Sequence, residues 1–212
     1  MTRLSKFSTT ICLVCIALPV IAADLPGGLI KVNTTNNPAC VTWYTINNEA
    51  WCSTEASKEP PVDPAIRSYE KQKIQFDQRP WQAAWGKKTD LITTVEYVPA
   101  GENVEQWNEL ITSQFMPNLQ DKFSPKQFVE VMIQQLKDGG FNPVITILSD
   151  TPDQVMFEFR ITTPDNMIQD ELQKVTRGKD GIYVLHYVIK KADMGEKNRS
   201  LWIKNLEASS IK

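Results

Sequence analysis

The chain's only histidine is His186, and any Ser–His–Asp or Cys–His relay would have to run through it. It shares one face of a strand-like segment with Val184 and Val188. In such company an imidazole bonded to a nearby acid or carbonyl is the expected state. Glu158 stands between Phe157 and Phe159. A carboxyl in apolar surroundings is what acid–base glycoside chemistry uses. Arg160 lies two residues along the same strand face, so the spacing predicts a Glu158–Arg160 ion pair at a sheet edge. No GxSxG, HExxH, P-loop or GxGxxG motif occurs. No catalytic residue, cofactor or metal is therefore assigned.

Aromatic and sulfur chemistry concentrates near the N-terminus. Trp43, Tyr44 and Trp51 lie between Cys40 and Cys52. Exposed Trp and Tyr rings act as binding anchors, so these three are the candidate binding residues; packing against the disulfide or the body below is the competing role. Cys40 and Cys52 form an even pair, and a disulfide is expected. Two sulfurs and one distant histidine make a poor metal site. Cys12 and Cys15 fall in the apolar run Ile11 to Ile21, where their CxxC spacing is incidental.

The elements that must hold these residues follow from punctuation and periodicity. Thr42 to Ile46 has strand composition and Asn47-Asn48 is a turn signal, giving a small hairpin closed by the disulfide. Ser53 to Pro64, with three prolines, reads as a linker or extended wrap. Trp81 and Trp85 flank Ala83-Ala84 in a first strand and are expected in the core. Leu91 to Val98 is a strand stopped by Pro99-Ala100-Gly101. Asn103 as N-cap, with Val104, Trp107, Leu110 and Ile111 on one face, predicts a helix next. Ser124, Pro125 and Gln127 open a second helix with a capping box, and Gly139-Gly140 closes it. Strands follow over 141–148, 154–162 and 167–177. A turn at Gly178 to Gly181 leads to a strand over 182–189 that is apolar on both faces, hence central. Glu196 to Ser209 ends the pattern as a helix, with Leu201, Trp202 and Leu206 inward. The fold class expected is α+β: an antiparallel sheet covered by helices as an α/β/α sandwich, with an N-terminal disulfide hairpin extension.

The first residues carry Arg3 and Lys6, then the apolar run, then Val20-Ile21-Ala22-Ala23. That is the signal-peptide pattern. The run is about half of the ~20 residues a spanning helix needs, so cleavage is expected rather than an anchor. The division is then 1–23 signal peptide, 24–75 extension with hairpin and linker, and 76–212 the α+β domain. Removal of Arg3 and Lys6 takes the net charge from -2 to -4. A mildly acidic chain with no basic cluster is a poor partner for nucleic acid or an anionic membrane surface. No stable membrane insertion is expected after cleavage, and the location is periplasmic or secreted.

The segment Thr94-Val95-Glu96-Tyr97-Val98-Pro99-Ala100-Gly101-Glu102-Asn103-Val104-Glu105-Gln106-Trp107 resembles one found in uncharacterised exported bacterial proteins. With the last hairpin and its Trp-containing helix, residues 76–209 resemble the PsbP/Mog1/DcrB-like fold. The resemblance implies an accessory or binding role and no catalytic site. The expectation is an exported, non-catalytic protein that binds another protein or a cell-envelope component. The alternative is a hydrolase of envelope or host polymer using acids such as Glu158 with His186.

Overall fold

A computed structural model describes residues 29–32, 40, 42–46, 48–54 and 65–212. The expected signal peptide, and most of the linker, lie outside the described residues. The strands are β1 (Leu29–Lys31), β2 (Thr42–Ile46), β3 (Glu49–Ser53), β4 (Gln72–Lys73), β5 (Trp81–Lys88) and β6 (Thr93–Pro99). They continue with β7 (Glu109–Pro117), β8 (Val144–Asp150), β9 (Gln154–Ile161), β10 (Gln169–Arg177), β11 (Gly181–Ile189) and β12 (Ser210–Ile211). The helices are α1 (Ile66–Tyr69), α2 (Pro125–Asp138) and α3 (Glu196–Ala208).

Ten strands form one antiparallel sheet in the order β1-β3-β2-β5-β6-β7-β11-β10-β9-β8, while β4 and β12 pair separately. This overturns the α/β/α sandwich. The sheet is too wide for its helices, of which α1 has only four residues. α2 lies against β9 and β10, and α3 against β10 on the opposite face. Two causes widen the sheet. The disulfide hairpin joins it, through Thr45 opposite Trp81. The helix expected after Gly101 is a strand instead. Asn103 does cap, its Oδ1 accepting from the Glu105 and Gln106 amides, but only one turn follows. Glu102 then accepts from the Asn108 amide at 2.7 Å, and Glu109 to Pro117 alternates across the sheet.

β11 lies between β7 and β10 and is paired along its whole length. Its two faces carry two cores. Leu185, Tyr187 and Ile189 pack with Trp81, Val95, Ile111, Trp202 and Leu206 on the α3 face. Ile182 and Val184 pack with Val155, Phe157, Phe159, Val175 and Val129 on the α2 face. Trp202 stacks on Tyr187 with centroids 4.1 Å apart and meets Trp81 edge-on at 5.6 Å. α2 opens as expected: Ser124 Oγ accepts from the Gln127 amide, and the Gln127 side chain accepts from the Ser124 amide.

Two expected core residues are not in the core. Trp85 is 39% exposed, because a bulge between Ala83 and Trp85 breaks the alternation and turns its ring to the other face from Trp81. Leu201 is 41% exposed, since it precedes the buried Trp202 on α3 and points away from the sheet.

Candidate functional site

The hairpin β2–β3 is closed by the Cys40–Cys52 disulfide, with the Cα atoms 5.5 Å apart. Asn48 sits in its turn at φ 61°, a left-handed conformation that asparagine tolerates. The Asn48 side chain accepts from the Phe76 amide at 3.0 Å and so ties the turn to the body. The three candidate rings divide. Tyr44 is buried, at 4% exposure. Trp43 and Trp51 are half-buried, and by register they face opposite sides of the hairpin. The Arg67 guanidinium lies over the Trp43 ring, 5.0 Å from its centroid.

Beside the hairpin is a cleft of about 260 Å³, walled by Thr45, Asn48 and Ala50 of the hairpin, by Arg67 and Glu70, and by residues around β4 and Tyr97. Its electrostatics are unequal. Glu70 is saturated: Oε2 accepts from the Tyr97 hydroxyl at 2.8 Å, and Oε1 from the Ser113 hydroxyl and the Gln72 amide, each at 2.7 Å. Burial first, then the Glu70 charge, pushes the Tyr97 hydroxyl well above its ordinary pKa. Arg67, three residues before Glu70, forms no pair with it. Among the described residues no carboxylate pairs with Arg67, and its Nη1 is shut from water without an acceptor. Burial lowers its pKa. A larger cleft of about 550 Å³ at Phe76 holds Arg79, but Arg79 is neutralised by Asp77 and by a two-bond pair with Glu109 at 2.9 and 2.6 Å.

His186 is held within the sheet. Its Nδ1 lies 2.5 Å from Glu171 Oε1, and its Nε2 lies 3.2 Å from Gln114 Oε1. It faces the α2 side of the sheet, as Val184 does. Glu158 faces the α3 side, so the two residues of the hydrolase alternative are not brought together. The expected Glu158–Arg160 pair is not formed. Arg199 of α3 reaches down instead, Nε to Glu158 Oε1 at 2.9 Å and Nη2 to Asp170 Oδ2 at 3.3 Å, while Arg160 pairs with Asp193. Neighbours two apart on a strand face lie about 7 Å from each other, and a helical arginine above the sheet closes that distance better. Asp170, fully buried, has its pKa pushed up to about 7, first by desolvation and then by Glu158, against the Met194 amide and Arg199.

Sequence reasoning passed over Arg67, Glu70 and Tyr97. Arg67 follows the proline-rich stretch, and an Arg–Glu spacing of three reads as an ordinary helical ion pair. Nothing local shows that Tyr97, Ser113 and the Gln72 amide take the carboxylate first.

The disulfide fits an oxidising, exported compartment. Among the described residues no helix is long and apolar enough to cross a membrane. No curated protein matches the chain. Residues 69–211 match an uncharacterised protein family, and the chain belongs to it.

Proposed function

We propose that this is an exported, non-catalytic binding protein whose partner is a protein or a cell-envelope component. One observation carries the reading: a disulfide-closed hairpin holds Trp43 and Trp51 half-buried on its two faces, with Trp43 under the unpaired arginine of the neighbouring cleft. Rings fixed before contact bury much area at little ordering cost. The hairpin lies outside the family match, which begins at residue 69. A relationship to the PsbP/Mog1/DcrB-like proteins belongs to the same proposal. The β10–β11 hairpin followed by the Trp202 helix supports it; the Gly101 turn, which leads to a strand, does not. The hydrolase reading is weaker, because Glu158 and His186 face opposite sides of the sheet.

The test is capture from an envelope extract by the exported protein and its Trp43→Ala and Trp51→Ala variants. At least one variant should weaken capture by about 2 kcal/mol or more, the hot-spot range, with little change in melting temperature. Equal capture by all three proteins would refute the reading. So would a loss of binding that only tracks loss of folded protein.

A further inference from the structure

We propose that the cleft between the hairpin and α1 is a binding site for a small organic carboxylate, with Arg67 as its receptor. This refines the binding reading at the same face of the hairpin, but it depends on Arg67 rather than on the tryptophans.

The charge balance comes first. A guanidinium removed from water is costly unless an acid or several acceptors replace the lost hydration. Arg79 and Arg199 both meet that requirement with carboxylates. Arg67 does not: among the described residues no carboxylate pairs with it, and Glu70, just past its helix, is engaged elsewhere; its Nη1 is closed off without an acceptor, so a ligand in the cleft would meet the other nitrogens of the fork. The Trp43 ring beneath it supplies a cation–π contact, which holds the fork flat but satisfies no N–H. Lys73 and Lys212 add cationic side chains to the same walls, where Glu70 is the one acidic side chain among the described residues. Three cationic side chains thus line the cleft against one carboxylate side chain.

The shape narrows the class. About 260 Å³ lies below the ~300–1,000 Å³ of pockets for drug-sized ligands, so the occupant is small. Ile74, Phe76 and Tyr97 give it an apolar wall that suits a hydrocarbon body rather than a bare inorganic ion. A planar fork matches a carboxylate with two parallel bonds. The Glu70 charge in the opposite wall favours a monoanion over a phosphate dianion. A free acid of about amino-acid size and the C-terminal residue of a peptide share this chemistry.

Calorimetric titration of the disulfide-intact protein tests the proposal. The probes are N-acetyl-leucine, N-acetyl-leucinamide, inorganic phosphate, and a glycyl-glycyl-leucine peptide with a free C-terminus. N-acetyl-leucine should bind, and its neutral amide should bind at least about tenfold more weakly, as expected when a charge-assisted pair is lost. Tighter binding of the peptide than of the free acid assigns the site to chain ends; equal or weaker binding assigns it to free acids. Arg67→Met should abolish the preference for the acid while leaving the melting temperature unchanged or higher, because a half-buried charge without a carboxylate partner is removed. Lys73→Met, at an exposed position, should weaken the acid several-fold without affecting folding. Equal binding of acid and amide, or preference for phosphate, would overturn the proposal. So would a lowered melting temperature in Arg67→Met together with unchanged binding in Lys73→Met, because Arg67 would then be a structural residue.

Discussion

Asp170 shows how much one side chain can be worth. It is fully buried beside Glu158, takes the Met194 amide on Oδ2 and shares Arg199 with Glu158 and Asp193. Its pKa rises from 3.8 to about 7, chiefly through desolvation. A raised carboxyl pKa means that the folded state holds the proton more tightly than the unfolded chain does. The stabilisation is therefore complete below about pH 4 and is lost as pH rises through about 7. Asp170→Asn keeps an acceptor for the Met194 amide and cannot ionise. Thermal melts of the two proteins from pH 4 to 8 should diverge, with the wild type losing ground to Asp170→Asn as pH rises. Parallel curves would show that Arg199 holds Asp170 ionised throughout.

At the scale of elements, a tight fit of backbone on backbone falls where β11 begins. A Cβ built on Gly181 would stand 2.4 Å from the Met116 carbonyl oxygen and 2.6 Å from the Phe115 ring. A backbone carbonyl in a paired strand cannot yield as a flexible side chain can. Gly181→Ala should cost about 2 kcal/mol, within the usual range for overpacking, and urea denaturation should show it as a lower midpoint with an unchanged slope. α2 and the β10–β11 hairpin were legible in the sequence because their signals are local: a capping box, a Gly-Gly stop, a turn between alternating runs. The strand after Gly101 was not legible. Leu110 and Ile111 fit a helical face as well as a strand, and what decides is the long pairing of Glu109 to Pro117 with β11, some seventy residues away. The candidate site was half legible. The hairpin and its rings were named from cysteine and tryptophan spacing, whereas the unpaired Arg67 depends on bonds that Glu70 makes with three separate strands.

The whole molecule is a sheet with a body and an extension. The extension is tied to the body by Thr45 opposite Trp81, by Asn48 on the Phe76 amide, and by Arg67 over Trp43. The disulfide closes the hairpin on itself, so its loss should matter most there. In the chain-entropy picture, closing a loop of this size stabilises by roughly 3 kcal/mol. A Cys40→Ser, Cys52→Ser double variant should show faster amide exchange in β2 and β3, with protection in β9, β10 and β11 unchanged. Equal loosening of both regions would mean that hairpin and body unfold as one.

The strand order carries a consequence in time. β5, β6 and β7 pair with their neighbours in sequence, and so do β8, β9, β10 and β11. The two runs meet at only one seam, β7 against β11. A chain released N-terminus first can complete each local hairpin soon after its strands emerge. The seam must wait: β7 is out early, but its partner ends at Ile189, after every other strand of the sheet has appeared. Until then Leu110, Ile111 and Met116 lie on an open strand edge. The interval between the emergence of Pro117 and Ile189 is when a nascent molecule is most open to pairing with a neighbour.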